Sequence, residues 1–178
     1  MLNKTFTPFP VLTTKRLTLR QLVPNDEEAI FNLRTDAEIN RFLDRKKATS
    51  LHDARQFIDT VTKNTENNSA IYWAISFIGK RELIGTICLF CFSDDTNSCE
   101  IGYELLTGFQ RQGIMQEAVH KVIDHAFHIM GVQKIEAIFH KNNLRSMQLL
   151  EKLAFRNRNE PGKKDPNLVC YYLNSPNA

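Results

Sequence analysis

The order of structural signals between Ile71 and Phe139 constrains the fold of this chain more than any other feature of the sequence. Three strand-like segments come first, and each is alternating or nearly all apolar: IYWAISF, LIGTICLFCF and CEIGYELL. Short polar turns join them, which predicts an antiparallel meander. A long amphipathic helix and the strand-like segment VQKIEAIF follow. We therefore expect a mixed sheet with a strand–helix–strand crossover at its centre.

The flanking segments add strands and helices to this centre. LTLRQL alternates and predicts a first strand. Asn25 with Glu28, and Ser50 with Asp53, have the spacing of helix-capping boxes, so two helices should follow that strand, with a short helical segment over 39–43 between them.

After the crossover, NNLRSMQLLEKLAF predicts a helix that starts at Asn142 or Asn143. RNRNEPGKKDPN predicts a loop, and LVCYYL predicts a final strand. The order βααβββαβαβ indicates an α+β fold with helices on both faces of the sheet, and we expect one domain over residues 1–178. The side chains predicted to face inward from the last helix are Leu144, Met147, Leu150 and Leu153.

Composition narrows the class of protein. Hydrophobic residues make up 42% of the chain, and the net charge is only +3 with a pI of about 8.7. This mild basic balance does not require nucleic acid but suits a phosphorylated ligand. We predict neither a nucleic-acid nor a membrane partner, because the basic runs at 45–47 and 156–164 lack interleaved aromatic residues and no apolar run reaches about 18 residues. The N-terminus lacks the apolar core of a signal peptide, which predicts a cytoplasmic protein.

The cysteines and histidines do not indicate a metal site. Cys88 and Cys91 form a CxxC, but no second pair completes a tetrahedral site, and both lie in an apolar strand segment. We expect small buried thiols without disulfides. The same interpretation applies to the thiols of Cys99 and Cys170. The histidines of the crossover helix lack an HExxH pattern and are interpreted as surface or core residues: His120, His125 and His128.

The stretch GFQRQGIMQEAV begins the crossover helix and predicts an anion site. The first four N–H groups of a helix have no partner within the helix, and its dipole adds partial positive charge there. Gly113 allows close approach to the backbone, and Arg111 can add a charge-assisted hydrogen bond. The alternative is an ordinary strand-to-helix turn with a solvated Arg111.

The same stretch resembles a known signature. QRQGIM resembles the Q/R-x-x-G-x-G/A acyl-CoA signature of the GNAT superfamily of N-acetyltransferases. TKRLTLRQL, LIGTICL, CEIGYELL and NNLRSMQLLEKLAF resemble the RimJ/RimL branch, which is similar to ribosomal-protein alanine acetyltransferases; the resemblance runs from about Thr14 to Leu173. It implies a GNAT acyl-CoA N-acyltransferase fold, a mostly antiparallel sheet whose fourth and fifth strands splay apart, and acetyl-CoA as co-substrate without a metal.

The resemblance also implies the residues that hold acetyl-CoA. Asn143 and Ser146 match the N-x-x-S segment beside the pantetheine arm, although Asn143 also suits a helix cap and Ser146 an ordinary first turn. Met115 departs from the signature, which prefers Gly or Ala, but a helical methionine can point away from the pyrophosphate. The pantetheine arm would pair with the backbone of Leu105, Leu106 and Thr107, and the pyrophosphate would contact Arg111, Gln112, Gly113, Ile114, Met115 and Gln116.

Two carboxylates are candidates for the chemistry. Glu100 matches the fourth-strand glutamate of GNAT histone acetyltransferases, so it is the candidate general base; it could equally orient the amine or pair with a cation. Glu104 has the same strand parity and is interpreted as a solvated edge charge. Leu150 stands where many GNAT enzymes carry a tyrosine acid, which leaves Ser146 as the candidate proton donor to the thiolate.

The predicted reaction is acetyl transfer from acetyl-CoA to a primary amine. The resemblance implies a protein N-terminal α-amine or a small-molecule amine as acceptor. At pH 7 an α-amine is about 14% neutral and a lysine only about 0.04%, so an α-amine needs the weaker base. The alternative, permitted by Leu150 and Met115, is a non-catalytic acyl-CoA-binding module. Both a monomer and a homodimer fit the sequence.

Overall fold

A computed structural model describes residues 2–159 and 165–176. The described residues form one mixed sheet with the strand order β1-β2-β3-β4-β5-β6-β8-β7, together with four α-helices. The strands are β1 (Leu12–Thr13), β2 (Leu17–Gln21), β3 (Ile71–Phe77), β4 (Gly85–Ser93), β5 (Ser98–Leu105), β6 (Lys134–His140), β7 (Arg156–Asn157) and β8 (Leu168–Asn174). The helices are α1 (Glu27–Thr35), α2 (Leu51–Glu66), α3 (Ile114–His128) and α4 (Leu144–Lys152).

The predicted meander and crossover are both confirmed. Strands β3, β4 and β5 pair antiparallel in sequence order, and Gly79 makes the β3–β4 turn at a φ of +73°. Helix α3 then returns the chain so that β6 runs parallel to β5. The pairing between β5 and β6 covers only their first three residues, which creates the feature on which the functional site depends.

Both faces of the sheet are covered. On one face, α3 and α4 pack against the apolar side of β3–β5, with Trp73, Ile75, Ala118 and Leu150 fully buried. On the other face, α1 and α2 form a smaller core. The alternation of β3 had indicated a half-buried strand, but β3 is buried on both faces.

Three helix caps were predicted from the sequence, and two of them are confirmed. The capping box of α2 is confirmed: Ser50 Oγ accepts from the Asp53 N–H at 3.3 Å, and the Asp53 carboxylate accepts from the Ser50 N–H at 3.2 Å. Asn143 caps α4 by accepting from the Ser146 N–H at 3.2 Å. The predicted cap at Asn25 is wrong, because that residue lies inside a 3-10 turn.

Asp26 explains this difference. Its carboxylate accepts from the Val23 N–H at 2.9 Å and binds both terminal nitrogens of Arg20 at 2.7 and 2.8 Å. The buried ion pair tightens the chain into the 3-10 turn over Pro24–Asp26, so α1 begins at Glu27.

Two expectations near the C-terminus are also corrected. Leu144 is the first residue of α4 and is 56% exposed, because it lies at the end of the helix before Met147 and Leu150, which pack against the core. The predicted loop contains the short strand β7, which pairs with Tyr171 and Tyr172 of β8. The part of that loop at 160–164 lies outside the described residues. No helix in the described part of the chain is long and apolar enough to cross a membrane.

Candidate active site

A V-shaped slot opens between β5 and β6. The two strands pair at Ser98, Cys99 and Glu100, whose partners are residues 134–136. Beyond this point Ile101–Leu105 and Ala137–His140 have no pairing with each other. Glu100 therefore stands at the apex of the slot, and the open end lies where β5 leads into the loop before α3. Strands β5 and β6 are the fourth and fifth of the predicted strands, because the short β1 precedes the first predicted one. The sheet therefore parts between the two strands that the resemblance implied.

Backbone groups at the end of β5 fall into two sets. The Leu106 N–H donates to Ile84 O at 2.9 Å, and its C=O accepts from Phe109 N–H at 2.9 Å, so both groups are in use. Because backbone direction alternates along a strand, the neighbouring groups of Leu105 and Tyr103 point away from β4 and towards the slot. The Leu105 C=O also accepts from the Gln110 side chain at 2.9 Å.

The start of α3 presents unpaired backbone donors. Gly113 is its N-terminal cap residue, in the left-handed region at a φ of +73°, and makes no side-chain cap bond. Arg111 is also left-handed, at a φ of +63°, and its side chain is exposed. Ile114 and Met115 are buried in the core, so only their N–H groups can meet a ligand. The buried Met115 side chain agrees with the expectation that a helical methionine can point away from the pyrophosphate, and the effect of Met115 on acetyl-CoA affinity stays a prediction.

Arg16 joins this loop, although the sequence analysis did not single it out. Its guanidinium donates to Gln112 O at 3.1 Å and pairs with Glu117 at 2.7 Å. Nothing local in the sequence connects Arg16 with a segment about a hundred residues later. Arg16 therefore fixes the loop in front of the open N-terminus of α3, and the charges of Arg16 and Glu117 offset each other.

Glu100 lies in a half-buried setting at the slot apex. Burial raises the pKa of its carboxyl, the thiol of Cys91 lowers it by hydrogen bonding, and Glu136, its partner across the strands, raises it again. Cys91 itself is exposed, at a φ of +50° beside an irregularity in the β4–β5 register. The expectation that all four thiols are buried is therefore wrong for this residue. The thiol of Cys88, by contrast, has its pKa raised to about 12 by burial.

A tyrosine hydroxyl reaches Ser146 from the neighbouring strand. Tyr103 Oη and Ser146 Oγ are 2.7 Å apart. Burial raises the pKa of Tyr103 to about 12, so its hydroxyl keeps its proton at neutral pH. Leu150 is fully buried and offers no proton. The motif that names Ser146 gives no sign of Tyr103, because Tyr103 lies on β5 and meets α4 only in the folded structure.

Glu104 is buried rather than solvated. Its carboxylate pairs with Arg45 at 2.7 Å and accepts from the Thr86 hydroxyl at 3.4 Å. Arg45 also donates to the Asn40 side chain at 2.8 Å. The interpretations of Glu104 as a solvated edge charge and of Arg45 as part of a solvated face are both wrong, because the chain segment after α1 folds over this end of β5.

No group of three or more potential metal ligands occurs among residues 2–159 and 165–176. Among the three histidines of α3, only His125 is buried, where it lies edge-on to Trp73 with 6.0 Å between ring centroids. All four cysteines are free.

The sheet order, the parted strands and the uncapped helix start together define an acyl-CoA N-acyltransferase fold. The sequence matches the acetyltransferase (GNAT) domain over residues 16–156. The chain therefore belongs to the GNAT family and is an acetyl-CoA-dependent N-acetyltransferase.

Individual relatives agree with this assignment. The chain is 33% identical over 148 residues to the uncharacterized N-acetyltransferase YoaA of Bacillus subtilis, covering 83% of this chain and 84% of that protein. Its fold is similar to a putative ribosomal-protein-serine acetyltransferase of Vibrio cholerae, with a TM-score of 0.79, 20% identity, and coverage of 94% and 99%. It is also similar to RimL, a ribosomal L7/L12 alpha-N-protein acetyltransferase in complex with coenzyme A, with a TM-score of 0.80, 19% identity, and coverage of 93% and 98%.

Proposed function

We propose that this cytoplasmic N-acetyltransferase acts on a protein N-terminal α-amine, or on a small-molecule amine of similar basicity, by direct transfer from acetyl-CoA. The observation that carries the proposal is the slot itself, with a half-buried carboxylate at its apex and unpaired helix N–H groups at its mouth. This arrangement suits a long ligand with a diphosphate at one end and a thioester at the other.

The open start of α3 is the proposed diphosphate site. The N–H groups of residues 113–116 begin the helix there, exposed Arg111 comes just before it, and Arg16 donates to Gln112 O. Helix N-terminal donors and dipole favour phosphate, and arginine adds charge-assisted hydrogen bonds. Gln112 and Gln116 are exposed and can add amide donors.

The edge of β5 is the proposed binding edge for the pantetheine arm. Among the three residues that the resemblance implied, Leu106 already uses both of its backbone groups, and the carbonyls of Leu105 and Thr107 accept from Gln110, so the proposal narrows to the N–H groups of Leu105 and Thr107. The resemblance implied Asn143 beside the same arm: its side-chain oxygen caps α4, which leaves its NH₂ group as the proposed donor to the arm.

Glu100 is the proposed general base. Acetyl-CoA supplies an activated acyl group as a thioester. Glu100 takes a proton from the acceptor ammonium, directly or through a water, so that the neutral amine can attack the acyl carbon. A raised pKa makes this carboxylate a better proton acceptor near neutral pH. A slot-facing N–H of β5 polarises the acyl oxygen as the C–N bond forms.

Ser146 is the proposed donor to the departing thiolate, and Tyr103 is its positioning partner. As the C–S bond breaks, Ser146 gives its proton to sulfur, and Tyr103, whose hydroxyl lies 2.7 Å away, gives one to Ser146; solvent water then returns a proton to Tyr103. A thiol with a pKa of about 8.5 needs little help to leave, so a weak hydroxyl donor suffices.

Thiol release tests the proposal. Purified protein with acetyl-CoA should release thiol with peptides that have free N-termini and much more slowly with lysine side chains, and mass spectrometry should locate the acetyl group on the α-nitrogen. Glu66→Gln, an exposed change at the end of α2, is the matched control for Glu100→Gln. Acetyl-CoA binding without thiol release for any amine would support the non-catalytic alternative.

A further inference from the structure

An arginine near the slot carries a charge that no neighbour neutralises. Arg34 lies in the last turn of α1, half-buried, with its guanidinium carbon 4.2 Å from the ring centroid of Phe57. Burial lowers its pKa, nearby Arg45 lowers it further, and Glu104 and Tyr72 raise it. These neighbours show that Arg34 lies beside the end of β5.

The local carboxylate is already engaged. Glu104 is buried against Arg45 at 2.7 Å, and within the described ranges Arg34 makes no hydrogen bond or ion pair. Two guanidinium groups therefore share one carboxylate. Asp36, the next carboxylate along the chain, is occupied by the Thr107 hydroxyl at 2.8 Å and by two backbone N–H groups.

A half-buried guanidinium without a carboxylate partner favours an anionic ligand. A half-buried guanidinium has lost part of its hydration, and its five N–H donors regain it only from an acceptor. Stacking on Phe57 holds the group in place but satisfies none of these donors. A carboxylate matches the guanidinium fork in both charge and geometry.

The distance to the slot apex suits a peptide. Glu100 and Glu104 project from the same face of β5, four residues apart, which corresponds to about 13 Å. An extended peptide whose terminal amine lies at Glu100 covers the same distance in about four residues. The third residue of this peptide lies about 7 Å from the first, and the carboxylate side chain of that residue and the long side chain of Arg34 together span the remaining few ångströms.

We propose that Arg34 binds a carboxylate side chain of the acceptor, so that the preferred substrate is a peptide N-terminus with Asp or Glu within its first four residues. This inference rests on the proposed function and specifies its acceptor. Arg34 acts as a specificity-determining residue and takes no part in proton transfer.

A pair of synthetic peptide amides, identical except for Asp or Asn at the third position, tests the inference. Wild-type protein should give a kcat/KM about ten- to hundred-fold higher for the Asp peptide, mainly through KM. Arg34→Met keeps the apolar stem against Phe57 and should make the two peptides equal, with the Asn peptide unchanged. Arg34→Lys should retain part of the preference.

Arg55→Met is the matched control, because it removes a charge from exposed Arg55, which pairs with Glu27 on the neighbouring helix. It should keep the wild-type preference. Calorimetry with the N-acetylated Asp peptide and coenzyme A gives a second readout that needs no turnover and should show binding to wild type only.

The wild-type comparison decides the matter even if the variants fail to fold. Equal kcat/KM for both peptides would overturn the inference. The inference would also be overturned if the protein neither acetylated nor bound either peptide. In that case, thiol release with another amine would still support acetyl transfer as the proposed function. A preference for Asp that survives in Arg34→Met would move the carboxylate site elsewhere.

Discussion

The contact between Tyr103 and Ser146 allows a sharp test of how the thiolate is protonated. Tyr103→Phe removes one hydroxyl and leaves the ring in place against β4 and α4. The lost contact is a single hydrogen bond of 2.7 Å between two neutral groups, so the free energy of unfolding should fall by only about 1 kcal/mol. A folded variant is therefore expected at 25 °C.

The effect on catalysis should be larger than the effect on stability. A well-placed general acid contributes about 10²–10⁴-fold, but a thiol with a pKa of about 8.5 is a good leaving group, and Ser146 itself remains. We therefore expect kcat to fall about ten- to hundred-fold at pH 7, with the dissociation constant for acetyl-CoA unchanged.

The pH dependence separates this role from a structural one. Above about pH 8.5 the thiolate can leave without a proton, so the difference between wild type and Tyr103→Phe should shrink there. The assay is thiol release between pH 6 and 9.5, with saturating acetyl-CoA and an acceptor that wild type acetylates.

Tyr171→Phe is the control, because the Tyr171 hydroxyl lies 3.3 Å from Glu151 and does not contact Ser146. It should leave kcat unchanged at every pH. Wild-type kcat in Tyr103→Phe at pH 7, or a deficit that stays constant up to pH 9.5, would refute the proton-relay reasoning.

Three further predictions concern the loop before α3, the proposed base Glu100 and the start of β4. Gly113→Glu should abolish acetyl-CoA binding in calorimetry by charge repulsion at the helix start. Its Cβ would lie 3.6 Å from Arg16, an ordinary contact, but the φ of +73° strains any residue with a Cβ by about 1–2 kcal/mol, so Gly113→Ala, which has the same strain without the charge, is the matched control. Undiminished affinity in Gly113→Glu would remove this loop from the site. Glu100→Gln should lower kcat by about 10²-fold with unchanged acetyl-CoA affinity. In wild type, kcat/KM should rise as pH rises through the raised pKa of Glu100, and the variant should lack this rise; a variant with the wild-type pH profile of kcat/KM would exclude the base role. Because a raised carboxyl pKa also makes wild type lose stability as pH rises through the same window, the variant should lose that pH dependence of stability. Gly85→Ala should lower the free energy of unfolding by about 1–3 kcal/mol, because its Cβ would lie 2.6 Å from the Glu104 carbonyl oxygen. In the comparison variant Gly102→Ala, the atom nearest to the new Cβ is the Cys88 sulfur at 3.2 Å, so the free energy of unfolding should change by no more than about 1 kcal/mol. Urea unfolding measures both, and equal midpoints would contradict the predicted clash.

Local pattern predicted most of the secondary structure. The meander, the crossover helix and the strand after it follow from apolar periodicity, which depends only on neighbours in sequence. The caps at Ser50 and Asn143 were also predictable, because a cap bond spans three residues. The cap at Asn25 was not, because Arg20 and its ion pair with Asp26 decide that turn.

The site divides in the same way. The glycine that begins α3 and the strand position of Glu100 were predictable from the sequence, and the structure has both where the sequence indicated; anion binding by the loop and proton transfer by Glu100 stay predictions. That the strands part after Glu100 is not encoded in their alternation, since the same pattern would suit a fully paired strand. It depends on where α3 returns β6 to the sheet.

The sequence by itself determined the family, the order of elements and the residues that begin the crossover helix, because these depend on local spacing and on matching motifs. Only the tertiary structure decided which polar groups meet: Tyr103 with Ser146, Arg45 with Glu104, and Arg16 with Gln112 and Glu117. These partners lie tens of residues apart, so their contact follows from strand register and helix packing. Hydrophobic periodicity specifies which face of an element is buried, and it leaves the pairing of polar side chains at the edges of the core to the packed structure.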